Sequence, residues 1–98
     1  MFRPVPVSRS ARAVVTGAGS GIGRAFAREL ARRKGAVVCS DISVDNARET
    51  VRLIENAGGR ACVVPCDVAQ RSDVEHLASA AIEYFGEPPN LLINNAGV

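Results

Sequence analysis

The segment VVTGAGSGIGRA sets four glycines, Gly17, Gly19, Gly21 and Gly23, at every second position directly after a run of β-branched residues. A glycine turn between a strand and a helix lets the main chain come close to a ligand, because no Cβ stands in the way. The helix that follows offers its first unpaired N–H groups and the positive end of its dipole, so such a corner attracts a phosphate or diphosphate. The pattern is not GxGxxG, which begun at Gly17 would need glycine where Ile22 stands; it is TGxxxGxG from Thr16, with Gly19 additional. Asp41 follows 18 residues past Gly23, at the end of a second apolar run. A carboxylate there can accept hydrogen bonds from ribose hydroxyls and would repel a 2'-phosphate, which favours NAD over NADP. The alternative reading of Asp41 is a carboxylate that caps a turn.

Side chains able to move protons are few. The one tyrosine, Tyr84, and the one lysine, Lys34, stand far apart in the chain. No pair exists in which an ammonium could lower a phenol's pKa for proton transfer. Ser72 reads as a helix cap, Ser79 as a helix-surface residue, and His76 falls off the apolar stripe onto a solvated face. Cys62 and Cys66 stand as CxxxC without a histidine or second pair to complete a metal site, so buried free thiols are the simpler reading. No catalytic residue and no metal ligand is assigned.

Composition narrows the partners. A chain of 98 residues, 47% hydrophobic and 22% charged, is ordinary for one globular domain. The net charge is only +2 and the eleven arginines are scattered, while aromatics make up 4%, which argues against nucleic acid. No window approaches the about 18 apolar residues of a membrane span. The opening MFRPVPVSRSAR has no apolar core of a secretory signal, and its prolines oppose a targeting helix, so residues 1–10 are expected to form a flexible tail. Three cysteines without an export signal fit a reducing compartment, hence the cytoplasm.

The glycine turn needs elements to hold it, and strand and helix patterns alternate along the chain. ARAVVT (11–16) reads as a doubly buried strand, and Ile22 to Lys34 as a helix with Ile22, Phe26 and Leu30 on one side and Gly35 as terminator. AVVCSD (36–41) is the second strand; Ser43 caps a helix carrying Val44, Ala47, Val51 and Ile54, closed by Gly58-Gly59. ACVVPCDV (61–68) is the third strand, where Pro65 fits a sheet edge. Ser72 and Glu75 form a capping box for a helix with the stripe Val74, Leu77, Ala78, Ala81, Ile82 and Phe85, and NLLINN is the fourth strand. This βαβαβαβ order predicts an α/β, Rossmann-like parallel sheet of strand order 3-2-1-4. The first two helices share one face, the third lies on the other, and the cleft opens where strands one and four end.

Three segments in order, TGAGSGIG (16–23), CDV (66–68) and NNAG (94–97), resemble the short-chain dehydrogenase/reductase family from Ala11 to Val98. The resemblance implies that Gly17, Ser20, Gly21, Ile22 and Gly23 hold the pyrophosphate and adjoining ribose, and Asp41 the adenosine ribose. It implies that Asp67 hydrogen-bonds the adenine amino group, that Val68 packs on the ring, and that Asn95, Ala96 and Gly97 border the ribose. Family members transfer hydride with a tyrosine and a lysine four residues later, assisted by a serine and an asparagine, all downstream of NNAG. Residues 11–98 are therefore expected to be a truncated, NAD(P)-binding half-domain without turnover of its own. An incomplete sheet with an exposed edge at the fourth strand is expected to invite association. The alternative is a stand-alone nucleotide- or partner-binding module that pairs with a full-length homologue.

Overall fold

The computed structural model describes residues 11–96. The expected tail at residues 1–10 and the expected site residue Gly97 lie outside the described residues. Within them the order is β1 (Arg12–Thr16), α1 (Gly21–Arg32), β2 (Ala36–Asp41), α2 (Val44–Asn56), β3 (Arg60–Pro65), α3 (Arg71–Phe85) and β4 (Leu91–Asn94). The strands form one parallel sheet of order β3-β2-β1-β4, as the sequence predicts. Val14 pairs with Val38 on one side and with Leu92 on the other.

Alternating side chains of the same strands build two cores. Ala13, Val15, Val37, Cys39 and Ala61 meet Ala27, Leu30, Ala31, Val51 and Ile54 on the face covered by α1 and α2. Val14, Val38, Val64 and Cys66 meet Leu77 and Ala81 of α3 on the other. Both faces of β1 and β2 are thus out of water, which explains why those strands read as unbroken apolar runs.

Several local expectations are corrected. In α1 the buried side is Gly23, Ala27, Leu30 and Ala31, while Ile22 and Phe26 are exposed. The left-handed residue that ends α1 is Lys34, φ 73°, and not Gly35; the amides of Lys34 and Gly35 close the last turn on the carbonyls of Ala31 and Leu30. Arg32 and Arg33 both hydrogen-bond Glu29 and hold its carboxyl down at about 2. Both guanidinium groups at the end of α1 are therefore spent locally.

The Ser72–Glu75 capping box does not form. Gln70 takes the N-cap position, because the Asp67–Gln70 turn starts α3 earlier. The carboxylate of Asp73, inside the first turn, instead accepts the amide of Asp67. Half of the α3 stripe is out of the core, with Val74 and Ile82 exposed. β3 stops at Pro65, which pairs with Asp41 at the sheet edge and leaves Asp67 and Val68 in the following turn. Ser43 caps α2 as expected, accepting the amide of Asn46.

Burial pushes the Cys39 thiol up to about 12, helped by Cys62, and pushes Cys62 up to about 11; the Cys66 thiol is raised for the same reason. Raised values keep the thiols protonated, and the thiolate is the nucleophile. At about pH 8, iodoacetamide should therefore label the native chain far more slowly than the chain in denaturant. Rapid native labelling of Cys39, read by mass spectrometry, would contradict this packing.

Candidate functional site

The carboxyl ends of all four strands lie along one border of the sheet: Thr16, Asn94, Asp41 and Pro65. Thr16 joins β1 to the Asn94–Ala96 segment. Its hydroxyl donates to Oδ1 of Asn94 at 2.9 Å and accepts the amides of Asn95 and Ala96 at 3.1 and 3.2 Å. A hydroxyl has one proton and two lone pairs, so all of its capacity is used. Nδ2 of Asn95 adds a bond to the carbonyl of Gly17 at 3.3 Å. Of the two asparagines, Asn95 thus donates its amide to the main chain, and Asn94 serves as acceptor for Thr16.

The glycine turn is set by contacts that exclude side chains. Gly17 has φ +64°, and a Cβ there would lie 3.0 Å from the amide of Ala96 and from Nδ2 of Asn95. On Gly23 a Cβ would stand 2.0 Å from the carbonyl oxygen of Gly17, an impossible approach for any other residue. Gly19, which the sequence pattern left without a role, has no room either: a Cβ would sit 2.7 Å from Oδ2 of Asp41 and 2.7 Å from Cβ of Asn46. Gly21 differs, with φ +56° and open space around it. Among the described residues no hydrogen bond uses the amides of Ser20, Gly21, Ile22 or Gly23. Ser20, Gly21 and Ile22 are exposed, so the turn and the first turn of α1 present free donors to solvent at the positive end of the helix.

Asp41 stands beside that turn. Its Oδ2 accepts the amide of Gly19 at 2.8 Å and its Oδ1 accepts the amide of Ser43 at 2.9 Å. The turn-capping reading of Asp41 is thus realised, and a carboxylate with about four acceptor positions retains capacity for a ligand hydroxyl. Behind the turn lies a group that the sequence reading missed. Arg24 donates from Nη2 to the carbonyl of Gly19 at 2.6 Å and from Nε to the hydroxyl of Thr50 at 2.8 Å. The Thr50 hydroxyl donates to the carbonyl of Ala18 at 2.7 Å. Two signals could have found this pair. A cation in the first turn of a helix opposes the dipole, and Thr50 is a hydroxyl among the buried positions of α2.

Asp67 and Val68 follow β3 at the same border, with Asp67 partly buried and Val68 exposed. Oδ1 of Asp67 accepts the amide of Ala69 at 3.0 Å. Gly17, Ser20, Gly21, Ile22, Gly23, Asp41, Asn95 and Ala96 are brought together by the contacts above and the turn they hold. Tyr84 and Lys34 are not among them. Tyr84 lines a cleft of about 550 Å3 with Ala11, Arg12, Ala36 and Arg60, at the amino ends of the strands. Lys34 lines another, of about 500 Å3, beside Gly58 and Gly59. Burial pushes the Tyr84 phenol up, opposite to the shift that proton transfer would use. No cluster of metal-ligating side chains and no helix long and apolar enough to cross a membrane occurs among the described residues.

Residues 11–98 match the family profile of short chain dehydrogenases. The chain is 44% identical over 94 residues to the short-chain reductase protein NovJ of Streptomyces niveus, covering 96% of this chain and 36% of that protein. It is 42% identical over 88 residues to the short-chain dehydrogenase/reductase homolog YusS of Bacillus subtilis, covering 88% of this chain and 79% of that one. A crystal structure of hydroxysteroid dehydrogenase from Escherichia coli superposes with a TM-score of 0.84 at 40% identity, over 88% of this chain and 36% of the other. The chain thus spans about a third of the length of two of these relatives and most of the third.

The glycine contacts rank two substitutions. Gly23→Ala should cost at least about 2 kcal/mol, since backbone must shift to relieve the clash. Gly21→Ala should cost only the left-handed strain of about 1 kcal/mol. Urea denaturation measures both; equal losses would contradict the close approach of Gly23 to Gly17.

Proposed function

The chain belongs to the short-chain dehydrogenase family, and from that premise we propose that residues 11–98 are the NAD-binding portion of an oxidoreductase acting on an alcohol or ketone. The observation that carries this reading is the set of unpaired amides at the exposed glycine turn, beside a carboxylate already fixed on that turn. A diphosphate matches the donors, and its charge matches the positive helix end. The absent Cβ atoms at Gly17, Gly19 and Gly23 are filled by neighbouring protein atoms, so these glycines shape the cradle, while the open side of Gly21 leaves room for the ligand's approach.

In this reading the amides from Ser20 to Gly23 hold the diphosphate and Asp41 orients the adenosine ribose. Asp67 and Val68 receive the adenine, and Asn95, Ala96 and Gly97 border the ribose. Bound NAD supplies or accepts the hydride. The residues described in this chain bind and orient it; proton transfer is left to a tyrosine and lysine pair of the family type, for which Tyr84 and Lys34 are wrongly placed. The free cysteines Cys39, Cys62 and Cys66 fit the proposed cytoplasmic, reducing setting.

One observation favours a second reading, association with a full-length homologue: β4 is the border strand among the described residues, and its Leu92 is 65% exposed. An apolar strand edge of this kind pairs readily with another chain.

Titration calorimetry tests the first reading. The 98-residue chain should bind NAD, and Asp41→Ala should weaken NAD by about tenfold, the worth of one charged hydrogen bond, while NADP loses less. Equal losses for the two cofactors would remove the ribose role from Asp41. The same chain, offered alcohols or ketones with cofactor, should show no turnover; measurable cofactor oxidation would overturn that expectation.

A further inference from the structure

A turn that directs its amides outward must direct carbonyls inward, and inward carbonyls need donors. Here the donors come from one linked pair. Arg24 reaches back from α1 to the carbonyl of Gly19 and, from the same Nη2, to the carbonyl of Asn46 in α2 at 3.2 Å. Its Nε occupies a lone pair of the Thr50 hydroxyl, which leaves that hydroxyl's proton for the carbonyl of Ala18. Thr50 is fully buried and Arg24 partly so. Gly19 is consequently gripped on both sides, its amide by Asp41 and its carbonyl by Arg24, in a space that admits no side chain. Arg24 forms no ion pair among the described residues; its guanidinium donates to two main-chain carbonyls and to the Thr50 hydroxyl.

We propose that Arg24, acting through Thr50 and the carbonyls of Ala18 and Gly19, is a positioning residue that presets the glycine turn for a diphosphate. The guanidinium fork suits the task because three acceptors lie around one planar group: a hydroxyl and two carbonyls contributed by the turn and by α2. An ammonium is a single point and reaches them less well. The proposal rests on the diphosphate reading of the preceding subsection.

The test uses the full chain and three ligands: NAD, ADP-ribose and adenosine, with affinities from calorimetry or NMR titration. Arg24→Met should weaken NAD and ADP-ribose by about tenfold and adenosine by less than about twofold, because adenosine lacks the diphosphate. Thr50→Val should show the same selectivity, and Arg24→Lys should restore only part of the loss. A merely structural role would lower the melting temperature and weaken all three ligands by the same factor, which would overturn the proposal. So would a wild type that binds NAD alongside an Arg24→Met variant that binds NAD and ADP-ribose unchanged. A wild type that takes neither diphosphate ligand would overturn the preceding reading and this one together.

Discussion

The carbonyl oxygen of Gly17 occupies the volume in which any side chain on Gly23 would begin, 2.0 Å from an added Cβ. That approach fixes how the first turn of α1 lies on the end of β1. With a side chain at position 23, the helix would have to lift away from the end of β1. The contact brings no stabilisation of its own; it is permitted by glycine and held by others. Thr16, with every hydrogen-bonding position of its hydroxyl filled, ties the end of β1 to the segment after β4. Each such bond is worth about 1 kcal/mol net, and together they restrict Asn95 to a place where it can reach the Gly17 carbonyl.

The turn is therefore supported from three directions by elements distant in the chain. β4 supplies Asn94 and the residues after it, β2 supplies Asp41, and α2 supplies Thr50 and the carbonyl of Asn46. A parallel sheet makes this convergence natural, since every crossover takes the chain back to the opposite border and every strand ends at this one. The free amides of the turn are a consequence. Their neighbouring carbonyls are satisfied from behind, so no local bond competes for the exposed donors, and a ligand needs little reorganisation of the main chain.

The fold was legible because its signals are local and repeated: β-branched runs, helical spacing and turn residues in strict alternation. Strand order followed from handedness and from Pro65, whose missing donor belongs at an edge. The glycine turn from Gly17 to Gly23, and Asp41 at the end of the neighbouring strand, were legible from residue type and spacing, whereas Asn95 entered only through the family resemblance. Arg24 and Thr50 were not, because their partnership spans 26 positions and joins two helices through a loop carbonyl. Nor was the role of Gly19, whose constraint is a carboxylate 22 positions away. The Ser72–Glu75 pattern misled for a related reason. A cap signature competes with the turn before it, and the Asp67–Gln70 turn, with Asp73 bonding back to Asp67, fixes an earlier start for α3.

The exposure of Ile22 and Phe26 follows from the same close approach. A helix that must touch β1 at Gly23 can present only small residues to the sheet over its next turns, and the chain has Ala27 and Ala31 there, with Ala18 beneath the turn, all buried. Leu30 is the first large side chain that the widening space admits. A large residue nearer the turn would act as a wedge, since interiors are packed too densely to yield a methylene without strain. Ile22 and Phe26 are therefore rotated outward, although their spacing with Leu30 is that of a buried stripe. What looks in sequence like a helix pointed at its core by three large residues is a helix pointed there by a glycine and two alanines, and the close approach of Gly23 to Gly17 decides between the two.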